Sequence, residues 1–382
     1  WLRHVTWPGL LILAGVIGLF FMLWLLGVRV FAHALNSPSL GKRIMVITIL
    51  ATMWVALEWV RAWFLWGFPW LPLAASQWQR PVLLSFLPWT GAGGLSFVLL
   101  FFNLALVSHL CGLKRKWETE SPQAKGLRLR LSPELALALC LLFGTVMLYI
   151  SQQNTDAEGQ ERFVDLEAAL VQPDAPIMEE YQADIVGESL RDLKRLTRQA
   201  SRSRPDFIVW PESALTLEPL WINPPMQKWV EALVEDLNIP IIGGALATEN
   251  NRWYNAMFKI DSHGGVDENY YAKRQLVPFG EYVPLEEYLP FIRRVVPYEG
   301  RFYEGKQASL LSLQAKQRSW QVGGLICYED VFPSLARRSV KAGADILLVV
   351  TNNAWFGTEA GAYQHAAHSV LRAAENHRPV LR

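Results

Sequence analysis

Three residues of this 382-residue chain could together do covalent chemistry: Glu212 in VWPES, Lys273 in YYAKRQLVPFGEYVP and Cys327 in GGLICYEDVFP. A thiol attacks a carbonyl only as the thiolate. A carboxylate raised in pKa by burial can take the thiol proton. An ammonium beside both can stabilise the thiolate and then a tetrahedral oxyanion. Taken one at a time, each residue also has an ordinary reading. Glu212 fits the N-terminus of a helix, Lys273 a solvated surface, and Cys327 a small buried hydrophobe.

Other roles for the cysteine can be weighed from composition. The chain has three cysteines, and Cys111 and Cys140 lie in an apolar N-terminal half. Cys327 then has no disulfide partner and is left as a free thiol. A zinc site needs more Cys or His at short spacing. His365 and His368 are near in sequence, but no second Cys accompanies them. No metal is expected.

The elements that must position these groups follow from the apolar pattern. The pattern predicts strands over 163–172, 206–213, 239–247, 252–261, 319–330 and 345–353, with another starting in RPVLR. It predicts helices over 177–203, 226–238, 334–344 and 359–377. Strands that are nearly all apolar are covered on both faces, so alternation with helices gives a layered α/β domain. In such sheets ligands gather at the carboxyl ends of strands, which is where Glu212 and Cys327 fall. The stretch 271–306 breaks the alternation, and loops of that size are usually functional or disordered. It is a candidate gate.

The first 150 residues read differently. Four stretches, about 8–31, 44–66, a piece within 82–110, and 133–150, are apolar enough to span a bilayer, which takes roughly 20 residues. The third is long for one span and reads as a short interfacial piece up to Trp89, then a helix from Gly91. Basic residues mark the cytoplasmic loops: Lys42 and Arg43 in one, Lys114, Arg115, Lys116, Lys125, Arg128 and Arg130 in the other. The α/β domain then lies on the far side of the membrane, which in a bacterium is the periplasm or the outer face. Glu58 and Arg61 sit within the second stretch, either as a mutual pair or in contact with a lipid headgroup. The segment 63–78 is rich in Trp and Pro and suits an interfacial belt. A net charge of +1 gives no field to attract nucleic acid. The division is therefore a helical membrane region, 1–150, and an α/β domain, 160–382. The absence of an initiating Met and the abrupt end at RPVLR lead us to expect a fragment cut at both ends.

The three motifs, in this order, resemble the Glu-Lys-Cys triad of the nitrilase superfamily. With CYE, GEYVP, TNNAWFG and preceding membrane helices, the chain is similar to the apolipoprotein N-acyltransferase family. The resemblance implies an αββα sandwich beside a transmembrane helical bundle, in the bacterial inner membrane. It implies Glu212 as general base, Lys273 as oxyanion-stabilising lysine and Cys327 as nucleophile. Glu281 in GEYVP would orient the lysine. Glu329 in CYE is associated with activity, with a salt bridge to a basic neighbour as its plainer reading. Tyr328 would shape the acyl pocket, and Trp210 is a substrate-side candidate that packs beneath the site.

The activity implied is transfer of an acyl chain from a phospholipid, through a cysteine thioester, to the N-terminal amine of a diacylglyceryl-apolipoprotein. Phospholipid, apolipoprotein and membrane lipids are thus the expected partners, and the implied activity requires no soluble cofactor. Two rivals use the same residues otherwise: a membrane-tethered amidase with water as second nucleophile, and a non-catalytic lipoprotein-binding scaffold. Family members usually carry more membrane helices and a C-terminal extension of the sheet and helix.

Overall fold

The computed structural model describes residues 7–64, 67–119, 131–159, 164–174, 183–215, 219–286, 288, 302–356 and 360–382. They fall into two compact units, drawn from Thr6–Glu161 and Arg162–Arg382. Parts of the expected basic loop, of the helix predicted from 177 and of the 271–306 stretch lie outside the described residues.

The first unit holds four long helices: α1 (Trp7–Leu35), α2 (Leu40–Arg61), α3 (Leu87–Thr119) and α4 (Pro133–Gly159). All four are long and apolar enough to cross a membrane, and this is the fold of a membrane protein. Val46, Ile47 and Leu50 of α2 pack on Phe101, Leu104 and Ala105 of α3. Leu11, Leu25, Trp59, Val107 and Phe143 point outward and stay exposed, as a lipid-facing surface requires. The α3 helix breaks at Gly91 (φ 63°, ψ −176°), so the two-piece reading of this stretch holds.

Polar groups inside this unit are bonded, as burial demands. Arg43 Nε and Nη2 donate to Glu134 Oε1 and Oε2 at 2.9 and 3.1 Å, and Ser108 Oγ donates to Glu134 Oε1 at 3.0 Å. Three helices are joined by that one carboxylate. Glu58 and Arg61 both reach the Trp- and Pro-rich segment: Glu58 Oε1 accepts from Trp54 Nε1 and from the Leu73 N–H, and Arg61 Nη2 donates to Trp70 O.

The second unit is an αββα sandwich. One sheet runs β1 (Ala168–Leu170), β2 (Phe207–Val209), β3 (Ile241–Glu249), β4 (Arg252–Asp261), β5 (Gly265–Val266), with β6 (Tyr271–Ala272) also pairing β4. The other runs β10 (Val380–Leu381), β9 (Ile346–Val350), β8 (Arg318–Ile326), β7 (Leu310–Ala315). The strands β1, β2 and β3 are parallel, as are β8, β9 and β10. Side chains alternate across the first sheet. Phe207, Val209, Ile242 and Met257 meet Leu311, Val322, Ile326 and Leu348 between the sheets. Ile208, Trp210 and Ile241 face outward, under Leu193 of α5 (Ala183–Ala200) and Val230 and Leu233 of α6 (Pro224–Leu237). The helices α7 (Pro333–Lys341) and α8 (Gly361–Asn376) cover the second sheet.

The strand expected over 319–330 stops at Ile326, because Cys327 has φ 51° and opens a single 3-10 turn, Cys327–Val331. The β7 strand was not anticipated. It pairs with β8 through a turn at Lys316 and Gln317, both at positive φ, and neither residue type signals a hairpin.

Candidate active site

Glu212 lies in the turn that follows β2. That turn crosses β3 closely, because Gly244 has no side chain there. A Cβ on Gly244 would fall 2.7 Å from Glu212 Cα and 2.7 Å from Pro211 O. The Gly244 N–H donates to Pro211 O and the Ala214 N–H donates to Gly244 O, each at 3.1 Å. Glu212 is thereby fixed by backbone, with Oε2 accepting from the Asn352 N–H at 3.0 Å.

Lys273 directly follows β6. Its N–H donates to Asn255 O at 2.8 Å, which keeps the segment against β4. The side chain is 1% exposed, and Nζ donates to Glu281 Oε1 at 2.8 Å and lies 3.5 Å from Glu212 Oε1. Burial opposes the charge, but Glu281 and Glu212 outweigh it and hold the lysine well above its ordinary range. It is an ammonium at any physiological pH.

Cys327 sits at the carboxyl end of β8, where its left-handed backbone turns the chain away from the sheet. Burial and the Glu212 carboxylate push the thiol up to about 12, against the Lys273 ammonium and a Thr351 hydrogen bond, which pull it down. The resting cysteine is therefore a neutral thiol beside a carboxylate and an ammonium. That arrangement can pass a proton from sulfur to Glu212 while conserving the charge of the cluster.

Glu281 fits the supporting role, since its Oε1 takes Lys273 and its Oε2 takes the Val277 N–H at 2.8 Å. Glu329 is fully buried and does not depend on a salt bridge. Its Oε1 accepts from the Arg274 and Gln275 N–H groups, and its Oε2 from Tyr271 OH and the Ile326 N–H. Burial raises its pKa and those donors lower it, with burial prevailing. Tyr328 is largely buried, edge-on to Phe332. Trp210 is wholly enclosed, with Nε1 donating to Thr197 Oγ1 at 2.9 Å. It props the Glu212 turn from below and offers substrate no surface, which corrects its place among substrate-side candidates.

His365 belongs to the support of the Cys327 turn, and His368 is buried on the same helix. His365 Nε2 donates to Asp330 Oδ1 at 2.9 Å and to Cys327 O at 3.2 Å. Ser369 Oγ and Arg382 Nη1 donate to Asp330 Oδ2, and Arg372 Nη1 to Val331 O. Sequence reading missed this network, and it missed Thr351, Asn352 and Asn255. The last had a signal, an amide inside the otherwise apolar run NAMF, where a buried polar group must have partners.

Residues 167–382 match the carbon-nitrogen hydrolase family, and residues 1–105 match the apolipoprotein N-acyltransferase N-terminal domain. The apolipoprotein N-acyltransferase of Geobacter metallireducens is 31% identical over 337 residues, which is 86% of this chain and 61% of the relative. That of Shewanella oneidensis is 30% identical over 370 residues, 91% of this chain and 63% of the relative. The chain thus spans less than two thirds of the length of these relatives. An amidase crystal structure from Nesterenkonia sp. aligns at 21% identity and TM-score 0.41, covering 56% of this chain and 74% of the amidase.

Proposed function

This chain belongs to the carbon-nitrogen hydrolase family, and from that premise we propose that it is an acyltransferase that moves a fatty acyl chain from a phospholipid to the N-terminal amine of an S-diacylglyceryl cysteine. The observation that carries the reading is one cluster of thiol, carboxylate and ammonium, Cys327, Glu212 and Lys273. Its setting supports it: a chain with four helices apolar enough to cross a bilayer, and relatives named apolipoprotein N-acyltransferase.

In the first half-reaction Glu212 takes the Cys327 proton as sulfur attacks the ester carbonyl of the phospholipid. The C–S bond forms, and the oxyanion is stabilised by a Lys273 N–H. Collapse breaks the ester C–O bond, and Glu212 returns the proton to the departing lysophospholipid. In the second half the lipoprotein amine attacks the thioester and gives its proton to Glu212. Collapse expels the Cys327 thiolate, which regains a proton, and leaves an amide. This is covalent, ping-pong catalysis. Both substrates are lipid-anchored, which suits a chain with four helices apolar enough to cross a bilayer. We place the protein in the bacterial inner membrane with the α/β domain in the periplasm, on Lys42 and Arg43 at the start of α2 and Lys114, Arg115 and Lys116 toward the end of α3.

The test is to supply purified protein with phospholipid labelled in its acyl chain, together with a diacylglyceryl lipopeptide bearing a free amine. Label in amide linkage on the lipopeptide is expected. Release of labelled free fatty acid alone, with the lipopeptide unlabelled, would replace transfer by hydrolysis.

A further inference from the structure

Asn255, on β4, is 5% exposed and sits between the two carboxylates of the site. Its Nδ2 donates to Glu212 Oε1 at 2.8 Å and to Glu281 Oε1 at 3.0 Å. Lys273 Nζ faces the same two oxygens, at 3.5 and 2.8 Å. Two nitrogens therefore bridge one pair of carboxylate oxygens, and the bridge is uneven. Asn255 is the nearer donor to Glu212, and Lys273 is the nearer donor to Glu281. The amide carbonyl Oδ1 is buried with no partner among the described residues. The side chain is thus held by what it donates.

We propose that Asn255 is a positioning residue of the reaction: its amide satisfies Glu212 Oε1 in place of Lys273, so the ammonium stays off the base and remains available to the Cys327 sulfur. Without that donor, Glu212 has one close alternative, the lysine already 3.5 Å away. A tight Glu212–Lys273 pair would make the carboxylate a weaker base and withdraw the ammonium from the thiolate. A neutral donor serves where a second cation would not. It adds no charge to a cluster of two carboxylates, one ammonium and one thiol, and it keeps donating whether Glu212 is ionised or protonated.

The inference rests on Cys327 being the reacting group, as in the proposed function, but its test needs no lipid substrate. Full-length wild type, Asn255→Ala and Asn255→Leu are compared in detergent micelles. Alkylation by iodoacetamide is followed against pH at the Cys327 peptide by mass spectrometry, with thermal melts alongside. Loss of a hydrogen bond to a charged group is worth about a factor of 10 or more. Both variants should alkylate about tenfold more slowly than wild type at pH 8 and at pH 9, with melting near that of wild type. A variant that melts like wild type and keeps its alkylation rate at both pH values overturns the proposal. Failure of both variants to fold overturns it too, because Asn255 would then be a core residue. If wild type alkylates normally yet forms no adduct with phospholipid, the acyl-transfer reading fails while the alkylation comparison still decides the role of Asn255.

Discussion

Glu329 accepts a hydrogen bond from the Arg274 backbone N–H at 2.7 Å, and so ties the turn that carries Cys327 to the segment that carries Lys273. Its other oxygen takes the Ile326 N–H and Tyr271 OH, both at 2.7 Å. Every partner is a donor. In Glu329→Gln an NH2 group would replace one acceptor oxygen and face donors. An unsatisfied buried donor costs about 1–3 kcal/mol, and small displacements between reacting groups slow a reaction about tenfold or more. We expect the variant to melt lower and to acylate Cys327 at least about tenfold more slowly. Wild-type melting with a wild-type rate would refute a positioning role for this carboxylate.

Acid should loosen the same turn from the side of α8. Burial, with Arg372, His365 and Arg382 nearby, lowers His368 from 6.5 to about 3, against the pull of Asp330. The folded state keeps this imidazole neutral while the unfolded chain protonates it. Its contribution is therefore complete above pH 6.5 and is lost as pH falls toward 3, at up to about 1.4 kcal/mol per unit. Asp330 is held below its ordinary 3.8, so its own loss begins only at lower pH. Between pH 6.5 and 4, melts of wild type should fall faster than those of His368→Gln. Parallel curves would show that His368 is not held neutral by the fold.

Gly244→Ala probes the Glu212 turn. The added Cβ meets backbone atoms of Pro211, Glu212 and Ser213, each at 2.7 Å, and backbone cannot swing aside. The turn must shift and carry Glu212 away from Asn352. The expected result is a lower rate of Cys327 acylation with its pH profile displaced, measured by mass spectrometry. An unchanged profile would mean that Glu212 is not the base.

In the helical unit, Glu134 is 2% exposed at its side chain and bonds Arg43 through both oxygens. Removing one partner of a buried pair costs about 3–5 kcal/mol, whereas replacing both by apolar groups can be nearly neutral. Arg43→Met should lower the melting temperature in detergent, and Arg43→Met with Glu134→Leu should recover most of the loss. A double variant no better than the single would show the pair is not coupled.

The layers, and Glu212, Lys273 and Cys327 as candidates to meet, were legible because strand ends, apolar runs and three motifs are local signals. The αββα order follows from alternation at residues such as Phe207 and Ile208, which face opposite sides of one strand. What stayed hidden was long-range. Asn255 meets Glu212 across 43 positions and Asn352 meets Glu212 across 140, and no periodicity reports such meetings. The Arg43–Glu134 pair is of the same kind, joining helices 91 positions apart. The strand predicted through Cys327 failed for a different reason. Apolar run length marks where a strand can extend, and it carries no sign of the positive φ at Cys327 or of Glu329 folding back onto the Ile326 N–H.

Intact mass spectrometry shows whether Cys327 carries the acyl chain. Wild type and Cys327→Ala are incubated with a phospholipid of defined chains, and the lipopeptide is then added. Wild type alone should gain the mass of one acyl group, lost on hydroxylamine treatment and lost when the amine acceptor arrives. Protein that labels the lipopeptide without ever carrying the adduct, or an adduct of equal yield on Cys327→Ala, would contradict it.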